Sequence, residues 1–235
     1  MTSPLEVYGE ELLTVTSGRT ATTWLRYADG RRITLDLPRW AQAADAADAL
    51  LLDRCAGPAL DLGCGPGRLT RALVDRGLEC LGVDVAPVAV ALARTGGAPV
   101  LHASAFDGVL DDTRWATVLL ADGNIGIGGD PVALLARCRR LLAPRGQVLV
   151  ELEPPARPSV TRPVQVRVES GSGRASSWFA WAHVGVDDVA EVAGLAGLVP
   201  GEVWQAGGRW FAELREADPY ARDRPAGGPP RRTRP

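Results

Sequence analysis

The sequence predicts an α/β fold, doubly wound about a mostly parallel sheet, and three observations predict it. From residue 58 to 152 short apolar runs alternate with segments of helical period, the signature of a parallel sheet with helices on both faces. The first run leads into alternate glycines at 63, 65 and 67 and then directly into a helix. After an interruption, a helix and two strands around Gly207-Gly208 close the pattern. With 235 residues, 46% of them hydrophobic, the chain suffices for one domain of ordinary α/β size with an appendage.

Residues 1–55 precede this pattern as a cover. Apolar alternation on either side of Asp29-Gly30 predicts a hairpin, and Trp40, Ala44, Ala47, Leu51 and Leu52 predict a helix over 39–55. The domain proper is expected over 56–215. Its first strand is 58–62, followed by a helix over 67–76 that Gly77 ends. Strand 79–84 ends on Asp84, and the helix over 87–95 ends at Gly96-Gly97. Strands 99–103 and 116–121 follow, and the latter runs into Asp122-Gly123-Asn124-Ile125-Gly126-Ile127-Gly128-Gly129-Asp130-Pro131. Asp130 caps and Pro131 starts a helix over 131–142, and Ala143-Pro144-Arg145-Gly146 turns the chain into strand 147–152. Residues 156–184 read as an inserted hairpin around Ser170-Gly171-Ser172-Gly173, with Phe179, Trp181 and His183 on one face. A helix over 186–196 and strands 198–205 and 209–214 complete the domain. From 216 to 235 the chain is rich in Arg, Pro and Gly and is expected to be disordered.

Composition excludes several classes of function. A formal net charge of −2 leaves no basic footprint for nucleic acid. No apolar run approaches membrane-spanning length, and Met1–Glu6 lacks the basic flank and apolar stretch of a secretion signal. Cysteines 55, 64, 80 and 138 form no C-x-x-C pair and no framework spacing, so a reduced, cytoplasmic protein is expected.

The glycine turn carries the chemistry. Glycine permits tight turning and close approach to a ligand, and the N–H groups of the following helix favour a negative group. A dinucleotide fingerprint requires a small residue where Arg68 stands, and a P-loop requires a lysine, which this chain lacks entirely. Asp84 ends the next strand about 20 residues on, where a carboxylate can accept hydrogen bonds from both ribose hydroxyls; it can equally cap the helix that starts at Pro87.

The acid followed by alternate glycines, Asp61-Leu62-Gly63-Cys64-Gly65-Pro66-Gly67, resembles the first motif of class I S-adenosylmethionine (SAM)-dependent methyltransferases. The resemblance implies a Rossmann-like, seven-stranded sheet with an antiparallel last strand, and SAM as cofactor. It places Asp61, Gly63, Cys64, Gly65 and Gly67 around the methionine portion, Asp84 on the ribose, and Val85 against adenine. Ser104 falls where the family carries an acid facing the adenine amino group, with Asp107 the nearest substitute, and Ala105 is the small residue whose N–H meets the ring. The run from Asp122 to Pro131 resembles that of bacterial small-molecule methyltransferases, which makes Asp122 a candidate cofactor contact and Asn124 a candidate at the reaction centre; either can instead serve its own turn. Tyr8, Arg39 and Trp40 are candidates to cover the cofactor or simply to pack the lead-in. Glu151 and Glu153 stand at the binding edge, and His183 is a candidate general base on the inserted hairpin. The expected acceptor is a small molecule bearing an oxygen, nitrogen, sulfur or carbon nucleophile. Non-methyl SAM chemistry on the same fold and non-catalytic SAM binding stay open at this level.

Overall fold

The computed structural model describes residues 2–155 and 160–217. The start of the expected insertion, at 156–159, and all but the first two residues of the expected tail lie outside the described residues.

The central sheet is built from β3 (Ala59–Leu62), β4 (Cys80–Asp84), β5 (Val100–His102), β6 (Trp115–Leu120), β7 (Leu142–Leu152), β10 (Leu198–Ala206) and β11 (Arg209–Glu216), in the order β10-β11-β7-β6-β3-β4-β5. From β7 to β5 neighbours are parallel, whereas β11 runs antiparallel to β7 and to β10. All four residues of β3 are buried, as a central strand covered on both faces requires. Leu60, Val118, Val148 and Val150 pack with Leu134 and Leu141 of α6 (Pro131–Leu141) on one face. Leu119, Leu149 and Phe211 pack with Leu69 and Leu73 of α4 (Arg68–Asp75) on the other. Helices α5 (Pro87–Thr95) and α7 (Val189–Leu195) complete the two layers. Strand order reverses between β3 and β6, and the carboxyl ends of the strands open a crevice there.

A second, wholly antiparallel sheet has the order β2-β1-β8-β9, from β1 (Thr23–Tyr27), β2 (Arg32–Leu35), β8 (Val160–Ser170) and β9 (Phe179–His183). Both expected hairpins are present. They are not separate, because β1 pairs with β8 from Thr23↔Ser170 to Tyr27↔Val166. The exit of β9 is pinned to that of β7, with Glu153 N–H donating to the Val184 carbonyl at 2.9 Å and Val186 N–H to the Glu153 carbonyl at 3.1 Å. The hairpin thereby sits over the carboxyl edge of the main sheet.

Three local expectations need correction. The helix expected over 39–55 is two, α2 (Leu37–Trp40) and α3 (Ala46–Leu52), because Asp45 serves as an N-cap and forms a reciprocal capping box with Asp48. An unexpected first helix, α1 (Pro4–Thr16), starts from a capping box of Ser3 and Glu6. The turn expected at 143–146 lies within β7: its pairing with β6 jumps from Trp115↔Leu142 to Thr117↔Gln147, and Arg145 takes up the excess chain at a φ of 64°. Among the described residues no helix is long and apolar enough to cross a membrane.

Candidate active site

The turn between β3 and α4 depends on its glycines. Gly63 has a φ of 75°, and a Cβ there would stand 2.6 Å from the Asn124 amide. Gly67 has a φ of 87°, and a Cβ would stand 2.9 Å from the methyls of Ala93 and Ala98. At both positions a side chain meets strain and collision together. Gly67 is also the N-cap of α4 and brings no side chain to cap it. The hydroxyl of Tyr8, from α1, lies over the turn, 3.4 Å from where a Cβ on Gly65 would stand.

Asp84 faces this turn. Its Oδ2 accepts from Gly65 N–H and its Oδ1 from Ala86 N–H, each at 2.8 Å. Burial raises its carboxyl above the usual range, and the amides of Ala86 and Gly65 oppose that rise. Burial, then the charges of Asp84, Cys64 and Asp122, raises the Tyr8 phenol well above its ordinary value, so it stays protonated. The Cys64 thiol is likewise raised, first by burial and then by Asp61 and Asp84, and offers no thiolate. Val85 and Phe106 are 44% and 45% exposed at the neighbouring loop ends. Sequence reasoning passed over Phe106, whose ring backs onto Gly128.

The remaining sequence candidates divide into braces and lining groups. Asp61 is buried behind the turn, where its Oδ2 accepts from the Thr70 hydroxyl at 2.8 Å. Burial lifts its carboxyl to about 7, against the pull of that hydrogen bond. Asn124 donates from Nδ2 to the carbonyls of Leu62 at 3.0 Å and Gly63 at 2.9 Å, so its amide braces the turn. Ser104 N–H donates to Asp107 at 2.7 Å and its hydroxyl accepts from Phe106 N–H at 3.2 Å, while Arg137 holds the Ala105 carbonyl at 3.2 Å.

Asp122 belongs to a cluster of charges whose members are scattered along the chain and meet only in the fold. The Asp48 carboxylate, wholly buried, accepts from Arg39 at 2.9 Å, from Arg209 at 2.7 Å and from Arg68. Asp122 accepts from Arg39 at 2.8 Å and from Arg68 at 2.5 Å. Glu151 takes both Arg209 Nε and Nη2, at 2.8 and 2.6 Å, together with Asp122 N–H at 2.6 Å. The cluster ties α2 and α3 to the ends of β6, β7 and β11. Asp122 is held at a φ of 54°, a conformation that costs a non-glycine residue on the order of 1–3 kcal/mol.

Beside this cluster lies a cavity of about 160 Å³, whose walls include Gly123, Ile125, Glu153, His183, Arg209 and Trp210. Gly123 separates Asp122 from Asn124, so the cavity reaches the loop that braces the glycine turn. His183, from β9, is mostly buried; its Nδ1 is 3.4 Å from Glu153 Oε1 and its Nε2 is hydrogen-bonded to the Tyr27 hydroxyl. The structure therefore brings the sequence candidates to two adjoining places: the turn with Asp84, and the cavity with His183. His102 stands apart, with its Nε2 on the Val85 carbonyl at 3.1 Å.

Residues 59–146 match a family model described as a methyltransferase domain. No curated protein sequence matches the chain. Among solved structures, a SAM-dependent methyltransferase from Bacteroides fragilis, in complex with S-adenosyl-L-homocysteine, aligns with a TM-score of 0.74 at 17% identity, covering 92% of this chain and 97% of that one. The 1,6-didemethyltoxoflavin-N1-methyltransferase of Burkholderia thailandensis aligns with a TM-score of 0.54 at 21% identity over 93% and 92% of the two chains. A sugar N-methyltransferase from Streptoalloteichus gives 0.53 at 19% identity over 76% and 88%. At these identities the structural likeness shows the fold alone. Residues 59–146 thus carry a match to a methyltransferase domain, within a chain that has the fold of SAM-dependent methyltransferases.

Proposed function

We propose that the protein transfers a methyl group from SAM to an oxygen, nitrogen, sulfur or carbon nucleophile of a small molecule seated in the cavity beside His183. The observation that carries this reading is the meeting of the glycine turn with Asp84 at the carboxyl ends of β3 and β4, on a sheet edge that also holds a cavity walled by titratable groups. In this reading Asp84 holds the ribose hydroxyls. Gly63, Cys64, Gly65 and Gly67 line the methionine portion under Tyr8. Val85, Ala105 and Phe106 offer adenine an apolar seat, with the Ser104 hydroxyl at its edge. Asp61, through Thr70, and Asn124, through the Leu62 and Gly63 carbonyls, position the turn. Asp122 anchors the arginines that close the methionine end.

When bound, SAM supplies a methyl group on an already activated sulfonium. The chain's task is then to align the acceptor, exclude water and receive a proton. Alignment alone can contribute about 7–11 kcal/mol of barrier reduction. His183 acts as the general base and Trp210 and Ile125 give the acceptor an apolar wall. A small-molecule acceptor agrees with the size of the cavity and with what the Burkholderia and Streptoalloteichus enzymes act on. The four cysteines are free thiols and suit a reducing compartment, so we place the protein in the cytoplasm.

Titration calorimetry with SAM, S-adenosylhomocysteine and NAD tests the cofactor. Binding of the first two and not the third is expected, and absence of SAM binding would overturn the reading. Mass spectrometry of small molecules retained through purification addresses the acceptor.

A further inference from the structure

We propose that Arg137 is a positioning residue for the adenine end of the cofactor, acting through the loop over residues 104–111. The inference rests on the methyltransferase reading above and adds to it a residue of α6, a helix that reading does not use. Arg137 lies on the core-facing side of this helix, three residues after Leu134 and four before Leu141, which are both wholly buried. It is itself only 5% exposed, whereas Arg139 and Arg140 of the same helix lie in solvent. Arginine is seldom so deep unless its donors are taken up, and an apolar side chain of similar size would pack there without desolvating a charge.

All of its partners belong to one loop. Arg137 Nε donates to the Ala105 carbonyl at 3.2 Å and Nη2 to the Asp107 carbonyl at 2.7 Å, while Nη1 meets the Asp111 carboxylate. Two of these acceptors are backbone atoms, so the planar fork fixes the path of the loop as well as its charge. The loop's other bonds at this end are internal to a turn. Asp107 N–H donates to the Ser104 carbonyl at 3.0 Å, Ser104 N–H to Asp107 Oδ2 at 2.7 Å, and Phe106 N–H to the Ser104 hydroxyl at 3.2 Å. The guanidinium is what ties that turn to α6.

The same turn carries the residues read above as the seat of adenine: Ser104, Ala105 and Phe106. The Ala105 carbonyl is held by Arg137, and its N–H has no hydrogen-bond partner among the described residues. The Phe106 ring is 45% exposed and rests against Gly128. The Ala105 carbonyl shares a rigid peptide plane with the nitrogen of Phe106. A shift of that carbonyl therefore moves the aromatic ring and turns the Ala105 N–H with it. Arg137 thus sets both groups that adenine would meet while standing behind them.

Calorimetry on the full chain with S-adenosylhomocysteine and with adenosine, joined to hydrogen exchange over residues 104–111 and 63–67, tests the assignment. Arg137→Gln is expected to weaken both ligands by the same factor, roughly tenfold, because the fault lies at the nucleoside they share. Exchange should quicken over 104–111 and stay as in the wild type over 63–67. Arg137→Lys should recover part of the loss, and Asp111→Asn, which leaves both carbonyl bonds in place, should lose none. Unchanged affinity in a folded Arg137→Gln variant would overturn the assignment and leave Arg137 a packing role. So would a loss that adenosine does not share, one accompanied by faster exchange over 63–67, or one that Asp111→Asn reproduces in full. Should the Arg137 variants fail to fold, the wild type decides: saturating adenosine must slow exchange over 104–111, and no slowing overturns the proposal. Failure of the wild type to bind S-adenosylhomocysteine would sink the underlying reading instead, and the first titration registers that before any variant is compared.

Discussion

The glycine turn and the appended antiparallel sheet are built in opposite ways. The turn draws on residues close in sequence: Gly63 N–H donates to the Val83 carbonyl at 2.8 Å and Gly65 N–H reaches Asp84. The appended sheet joins residues 23–35 to residues 160–183, and its β1–β8 seam closes across more than a hundred residues. Closing so long a loop costs entropy before any contact forms. The local region holds the glycine turn against Asp84, and the assembled region brings His183 to the cavity. In this molecule, then, the half that holds the glycine turn is local in sequence, whereas the half that carries His183 is put together at a distance.

The arginine–carboxylate cluster ties α2 and α3 to the main sheet beside the glycine turn, and breaking it should have the largest effect. Asp48→Ala leaves Arg39, Arg68 and Arg209 short of a wholly buried partner, and a loss of about 3–5 kcal/mol in urea unfolding is expected. A loss under about 1 kcal/mol would mean that the cluster behaves as a surface network and does not hold α2 and α3 on the main sheet.

Asp61 offers a test inside the local half. Its carboxyl stands at about 7 in the fold against a reference of 3.8, so between those values the folded chain holds a proton that the unfolded chain has lost. Stability from this group is therefore greatest below pH 4 and falls as pH rises to about 7, by at most about 1.4 kcal/mol per pH unit. Comparison of unfolding free energies should show Asp61→Asn gaining on the wild type across that window. Parallel curves would show that Asp61 ionises as freely in the fold as outside it. At the same turn, Asp84→Ala should weaken SAM by about 1–3 kcal/mol, or roughly 5- to 150-fold in calorimetry. Unchanged affinity would remove the ribose assignment.

The same contrast governs what could be read in advance. The strand–glycine–helix unit, Asp84 and the alternation through 152 were legible because each rests on neighbours in sequence. Both hairpins were legible as hairpins, from Asp29-Gly30 and from Ser170-Gly171-Ser172-Gly173, but nothing in either indicates that Thr23 pairs with Ser170. Arg68 read only as a residue unsuited to a dinucleotide turn; its partners Asp48 and Asp122 lie 20 and 54 positions away. Asn124 carried a donor of the right kind in the right loop, and only the fold shows that two carbonyls of the turn take it up. The division of the 39–55 helix had a visible cause, since Asp45-x-x-Asp48 places a carboxylate at each end of a possible capping box.

The smallest predicted effect asks whether α1 belongs to the local half or the assembled one. This helix was missed although Ser3-x-x-Glu6 is a capping-box pattern: the Ser3 hydroxyl accepts from Leu5 N–H at 3.3 Å, and Glu6 accepts from Ser3 N–H at 2.7 Å. Ser3→Ala should cost about 1 kcal/mol, near the middle of the range for losing an N-cap. That loss falls on the first turn of the helix that carries Tyr8 over Gly65. Hydrogen exchange should therefore quicken over residues 4–8 while the urea midpoint barely moves, and SAM affinity should fall two- to fivefold. Faster exchange with no change in affinity would show that Tyr8 rests on the turn without gripping what the turn holds. A shift in the urea midpoint as large as that of Asp48→Ala would show instead that α1 unfolds with the main sheet and not on its own.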